Sequence, residues 1–281
     1  MRRSFTRFLG VDLGGGRGKT TAIAEIRSTA AGTAEVFEVA TRAPRQPWTD
    51  DTLIGRLAEA GHHHAVIAID APLTQTACGR CERPVCPGMD ACADPAVAWL
   101  RTTGRGLLRK VTAKTAGDTT RATPGTPTGQ ARLAPYTHRA TDVIVTYERG
   151  LLPLSALGTT NGTVAARALQ LRRRLRGAGF ELHTNLLEVS PQATVAALCG
   201  VRAARGYKRD ADPWRTRALI LEQLGDLAFA PQSRMAREEV LGNDHCFDAV
   251  LSAYTAFLWA RDGWAAPEGV FADDGWIVTP P

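Results

Sequence analysis

The chain has 281 residues, 44% of them hydrophobic and 22% charged, which suits one large domain or a domain with an insert and excludes a wholly disordered protein. The formal net charge is +6 and the sequence pI is near 9.2, which fits a nucleic-acid or phosphate-bearing partner and fits an arginine-rich background equally well. No run of about 18 apolar residues exists, so no membrane span is expected. No signal-peptide core follows Met1–Phe5, so the sequence predicts a cytoplasmic protein.

Phe8 to Leu13 is an apolar run that ends in Asp12-Leu13-Gly14-Gly15-Gly16 and reads as a buried strand and turn. Residues 20–26 and 35–41 read as two further strands of an antiparallel meander. Asp50 to Ala60 has apolar residues at helical spacing. Ala65 to Asp70 (AVIAID) reads as a buried strand ending in a carboxylate. The stretch 74–135 differs in character and reads as an insert with limited regular structure, within a single domain spanning 1–281. Helical spacing returns over Val164 to Leu175. Leu186 to Val189 reads as a short strand, followed by a helix opened by Ser190-Pro191. Asp212-Pro213 opens another helix. A long helix covers roughly Asp244 to Ala260, and Val270-Phe271 with Trp276–Val278 around Asp274-Gly275 predicts a hairpin. Three antiparallel strands, a helix, then strands alternating with helices is the element order of an RNase-H-like mixed sheet flanked by helices.

Leu13 to Thr20 reads LGGGRGKT and imitates a phosphate-binding loop. The genuine motif needs Gly five positions before the Gly of Gly-Lys, and that position, counted back from Gly18, is Leu13. The following segment also alternates like a strand, whereas such a loop needs a helix whose first amides hold the phosphate.

Four carboxylates stand out by position: Asp12, Asp70 and Glu188 end strands, and Asp248 lies in the last long helix one turn after Asp244. A carboxylate in an apolar strand is unfavourable unless it is paired or metal-bound. Strand C-termini in α/β sheets share one edge, where ligands bind. Hard divalent ions such as Mg²⁺ prefer oxygen ligands, and two such ions about 4 Å apart support phosphodiester cleavage. The site reading therefore requires Asp12, Asp70 and Asp248 to converge within roughly 10 Å, with Glu188 nearby. Each residue also has a plainer role. Asp12 fits a bond to the glycine-turn amides, Asp70 a strand terminator, Glu188 a pair with an arginine, and Asp244 a helix cap.

The phrases GVDLGG, AIDAPL, LEVSPQAT, NDHCFDAVLSAYTAFLWARDG and the closing GWIVTPP resemble, in this order and spacing, the family called domain of unknown function 429. The resemblance spans nearly the whole chain and implies an RNase-H-like nuclease. His245-x-x-Asp248-Ala249 is also similar to the last-helix motif of RuvC-type resolvases. The resemblance implies Asp12, Asp70, Glu188 and Asp248 as ligands of Mg²⁺ or Mn²⁺, and His245 as a group that activates water or contacts phosphate. Tyr136-x-x-Arg139-x-x-Asp142 resembles a family phrase as well, so Arg139 is expected either to bind a phosphate oxygen or to form a surface pair with Asp142.

Cys78-x2-Cys81-x4-Cys86-x5-Cys92 places four thiols within fifteen residues. That spacing fits one tetrahedral structural zinc, with an iron–sulfur cluster as the alternative. Cys199 and Cys246 read as buried helix residues. Arg105, Arg109 and Lys110 follow the cluster as candidate phosphate contacts. Arg172-Arg173-Arg174 with Arg176 reads as a solvated helix face.

Together these features predict a divalent-metal-dependent nuclease acting on DNA or RNA. The alternatives are an ATP-binding phosphotransferase or ATPase of the sugar-kinase and Hsp70 type, and a catalytically idle nucleic-acid-binding module. The length of 281 residues counts against the first alternative, because that fold is normally duplicated; the intact acidic set counts against the second.

Overall fold

The computed structural model describes residues 5–16, 19–116, 133–151, 156–157, 162–233 and 235–281, with backbone only for 111–116. The chain divides into two compact units. The first comprises residues 1–73, 163–266 and 277–281, and the second comprises 74–162 and 267–276.

In the first unit β1 (Arg7–Asp12), β2 (Ala22–Ser28) and β3 (Ala34–Ala40) form the antiparallel meander. β4 (Arg42–Ala43) and β5 (Gln46–Pro47) make a small ribbon of their own. α1 (Asp50–Ala58) begins where Thr49 and Thr52 cap each other, with Asp50 and Asp51 in the positive first turn. It leads to β6 (Ala65–Asp70), which pairs parallel to β1 in the middle of the sheet. In the second unit α2 (Pro95–Trp99) runs through a π-helical turn at Leu100–Gly104 into α3 (Arg105–Ala116), and α4 (Ala140–Arg149) follows.

The chain returns to the first unit with α5 (Gly162–Gly177), β7 (Leu186–Val189), α6 (Pro191–Cys199), α7 (Val201–Gly206) and α8 (Pro213–Gln223). β8 (Leu227–Phe229), α9 (Arg237–Gly242) and α10 (Asp244–Asp262) come next. α11 (Phe271–Asp274) belongs to the second unit and β9 (Ile277–Val278) to the first. The mixed sheet has the order β8-β3-β2-β1-β6-β7-β9, with β6, β7 and β9 parallel to β1. Among the described residues, no helix is long and apolar enough to cross a membrane.

The central strands are buried on both faces, which explains their continuous apolar runs. On one face Leu9, Val11, Ile67 and Ile69 pack with Leu53 and Leu57 of α1 and Leu171 and Leu175 of α5. α10 lies across the other face. A Cβ on Gly10 would stand 2.0 Å from the Ala249 carbonyl oxygen and 2.3 Å from the Ala253 nitrogen, so only glycine lets that helix approach β1 so closely.

Three expectations are corrected. Residues 95–116 form an almost continuous helical run, where little regular structure was expected; Asp94 caps it and Pro95 starts it. The expected hairpin at 270–278 does not form. Asp274 is fully buried and accepts a bond from the Ala140 amide at 2.5 Å, which holds 271–274 as a helical turn, while Ile277–Val278 joins β7 in parallel. Arg172 is not part of a solvated face, because its guanidinium donates to the Leu73 carbonyl at 2.8 Å. The strand at Ala22 after the glycine loop, in place of a helix, agrees with the rejection of a phosphate-binding loop.

Candidate active site

Asp12 and Asp70 end β1 and β6, and the parallel pairing sets them side by side. Alternation along the strand puts Asp12 on the face of Gly10, against α10. Asp248 stands near the start of that helix, just before Ala249. One ligand oxygen from each of Asp12, Asp70 and Asp248 therefore lies within 4.8 Å of the other two. Asp248 is buried, and Asp12 and Asp70 are partly buried.

Three carboxylates so close cannot all ionise cheaply without a cation. Burial, with the charges of Asp12 and Asp248 adding to it, holds the Asp70 carboxyl well above the usual range. Burial and the Asp12 charge push Asp248 up to about 6, although the Lys208 ammonium pulls the other way. One ammonium, Lys208, does not balance three carboxylates, and the oxygen ligands that remain fit a hard divalent ion.

His245 lies one turn before Asp248, and its Nδ1 meets Asp12 Oδ2 at 2.6 Å. That bond raises the imidazole pKa, and the side chain keeps 44% of its surface exposed. Asn243, rather than Asp244, caps α10, accepting from the His245 and Cys246 amides at 3.0 and 3.3 Å. Asp244 is the first residue of the helix and adds charge beside His245, but its oxygens are not in the trio.

Glu188 is the main departure. It pairs in register with Ile69, so the pleat turns it to the face opposite Asp70. There it is buried, and its Oε2 accepts from the Leu73 amide at 2.8 Å. Its position at a strand end suggested a ligand; the register places it on the α5 side.

Two residues that the sequence did not point to complete the cluster. The Tyr207 hydroxyl donates to Asp248 Oδ1 at 2.9 Å, and the Lys208 ammonium pairs with Asp248 Oδ2. Burial works against the charge on Lys208, yet Asp248 and its neighbours outweigh that and raise the pKa.

In the second unit Arg139 is buried, with its guanidinium on both Asp142 oxygens at 2.8 and 3.3 Å and on Thr74 Oγ1 at 2.7 Å. It is neither a phosphate contact nor a surface pair, because it is enclosed and its donors are engaged. Arg105, Arg109 and Lys110 are exposed on α3. Cys78, Cys81 and Cys86 are exposed and Cys92 half-buried. Among the described residues, the aspartate trio is the one group of three or more such ligands within 4.8 Å, so the four sulfurs stand wider than a zinc tetrahedron. Cys246 is buried and Cys199 half-buried, both on helices.

These features define a mixed α/β protein with an oxygen-rich carboxylate site able to hold a metal ion. The chain belongs to the family described as protein of unknown function (DUF429), whose model matches residues 10–270. It is similar to a solved structure described as Thermus thermophilus RuvC, at 15% identity and a TM-score of 0.36, over 93% of this chain and 99% of that one. No curated protein matches the chain.

Proposed function

We propose that the protein is an RNase-H-like, divalent-metal-dependent nuclease that hydrolyses phosphodiester bonds of DNA or RNA. The convergence of Asp12, Asp70 and Asp248 carries this reading. The order of the antiparallel β3-β2-β1 meander continued by parallel β6 and β7 supports the fold. Asp12, Asp70 and Asp248 would hold Mg²⁺ or Mn²⁺. Such an ion, when bound, lowers the pKa of a ligated water and neutralises charge at the phosphate. The chain's own groups set the geometry. Asp12 fixes the His245 ring through Nδ1, which leaves Nε2 on the far side of the ring. As imidazolium, His245 would offer Nε2–H as the proton source for the oxygen that departs when water attacks phosphorus.

The test is cleavage of single-stranded, duplex and branched DNA and RNA with Mg²⁺ or Mn²⁺. Asp12→Asn keeps the shape and removes a ligand charge, so it will abolish cleavage without unfolding the protein. Cleavage at the wild-type rate by that variant would place the activity elsewhere. ATP hydrolysis with no nuclease activity would favour the phosphotransferase alternative. Nucleic-acid binding with steep salt dependence and no hydrolysis would favour an idle module.

The second unit carries a separate proposal, a structural zinc on Cys78, Cys81, Cys86 and Cys92. Residues 78–95 contain no fully buried side chain, so hydrophobic packing holds this loop only where Met89 and Cys92 lie, partly buried, against neighbouring clusters. Arg101 instead donates to the carbonyls of Met89, Asp90 and Cys92. Burial raises the Cys78 pKa and the neighbouring Cys86, Cys81 and Cys92 add to it, and the loop would have to contract to bring four sulfurs onto one ion. Elemental analysis is expected to find one zinc per chain. Iron with inorganic sulfide would make the site a cluster, and metal-free protein from both aerobic and anaerobic preparations would remove it.

A further inference from the structure

We propose that the carboxylate cluster takes a single divalent ion, and that the Lys208 ammonium stands where a second cation would sit. This rests on the metal-binding reading above and departs from the two-ion site that the sequence suggested.

Ligand supply is the first reason. Two ions about 4 Å apart need bridging and terminal oxygens from several carboxylates. Here the trio is already drawn on. Asp248 accepts from Tyr207 on Oδ1 and holds the Lys208 ammonium on Oδ2, and Asp12 Oδ2 faces His245. A fourth carboxylate, Glu188, is turned to the other face and bonded to the Leu73 amide. What remains free serves one ion.

Charge is the second reason. One doubly charged ion and one ammonium neutralise three carboxylates. A second such ion would leave an excess of positive charge in a partly buried site where it is poorly screened.

Placement is the third. Lys208 follows Tyr207, which is buried and packs on Phe247 at 5.5 Å between ring centroids. The Tyr207 carbonyl accepts from Arg217 Nε at 2.9 Å, and Arg217 Nη1 reaches the Leu241 carbonyl at 2.5 Å. Arg217 is itself only 4% exposed. A buried guanidinium bonded to two carbonyls pins the backbone from which Lys208 projects. The Lys208 ammonium also lies 5.5 Å from the Tyr207 ring centre. Lys208 is thus a fixed counter-ion, and Arg217 and Tyr207 are positioning residues.

The test is a Mn²⁺ titration of the chelator-treated full chain, followed by calorimetry and by electron paramagnetic resonance. Wild type is expected to bind one ion at this site with an uncoupled Mn²⁺ signal. Lys208→Ala, with Lys208→Gln as the closer isostere, is expected to bind two, with the exchange-coupled signal of a neighbouring pair. Lys208→Arg is expected to bind one. An ion count raised equally by zinc-type sites elsewhere is separated by the Asp70→Asn background, in which only cluster binding disappears. Two coupled ions in wild type would overturn the inference and leave the metal reading standing, whatever the variants do. A single ion in folded Lys208→Ala and Lys208→Gln would overturn it as well. No cluster-dependent Mn²⁺ in any of these proteins would overturn both the inference and the metal reading beneath it.

Discussion

Asp70→Asn is expected to make the metal-free protein more stable while abolishing its response to Mn²⁺. Asp70 pairs in register with Asp12 and shares the cluster with Asp248. Burial and those like charges raise its pKa well above the ordinary carboxylate value. An acid whose folded pKa is raised binds its proton more tightly when folded. Its ionisation therefore subtracts stability as pH rises from the unfolded value, about 3.9, through the folded one. Asparagine has nearly the same shape and cannot ionise, so it removes that penalty. In chelator, the melting temperature of Asp70→Asn is expected to exceed that of wild type by several degrees at pH 8, with the gap closing toward pH 4. Added Mn²⁺ is expected to raise the wild-type melting temperature and leave the variant unmoved. The wild-type gain is expected to shrink as pH falls through about 6, where Asp248 takes up its proton. Cleavage is expected to fall by more than the roughly 10–100-fold typical of losing an outer partner of a metal ligand. A variant that melts lower than wild type in chelator at pH 8 would show that Asp70 is a structural anchor and not a strained ligand.

The acids at strand ends were legible because a carboxylate that closes an apolar run violates local patterning and calls for a reason. That logic found Asp12 and Asp70, and the place of Asp248 in the last long helix, one turn after Asp244, together with the family resemblance, found the third. The same logic misled at Glu188, because a strand end does not reveal which face a residue takes. The face is fixed by pairing with Ile69, a contact 119 positions away in sequence. Lys208 was invisible for a different reason. It lies in the polar stretch Arg205-Gly206-Tyr207-Lys208-Arg209-Asp210, which has no periodicity to mark a buried position. Its placement depends on Arg217, a basic residue that a helix pattern assigns to solvent and that the fold buries against backbone carbonyls. At the C-terminal end Asp274-Gly275 carries a hairpin signature, but the Asp274 carboxylate is taken up by the Ala140 amide and Arg80. Long-range partners, a strand register in one case and polar side chains or amides in the others, decided each of these cases, and no window of local sequence contains them.

Glu25→Gln is expected to give the largest loss of stability at neutral pH. Glu25 lies on β2 and is only 1% exposed, inside a cage of three arginines from three elements. Arg7 of β1 donates to both its oxygens at 3.0 and 3.1 Å, Arg27 of β2 donates at 2.8 Å, and Arg56 of α1 donates at 2.6 Å. Glu25 also stands opposite Glu38 in the β2–β3 register, a like-charge pairing that would repel. Arg56 bonds both carboxylates and turns the repulsion into a bridge, with Glu38 at 2.9 Å. Burial alone would raise the Glu25 pKa, but the bonds from Arg7, Arg27 and Arg56 outweigh it and lower the value to about 2. A depressed acid contributes stability above its unfolded pKa, near 4.3, and loses it as pH falls toward the folded value. The shift corresponds to about 3 kcal/mol at pH 7. For a chain of this size that is a drop of about 5 °C in melting temperature. Glutamine keeps the volume but cannot hold three guanidinium groups, so Glu25→Gln is expected to lose most of this. The discriminating measurement is the melting temperature of both proteins from pH 7 down to pH 2. The gap is expected to stay constant to about pH 4.5 and then close, because wild type loses the same charge by protonation. A gap that persists unchanged at pH 2 would mean that packing, and not the carboxylate's charge, holds β1, β2 and α1 together at this point.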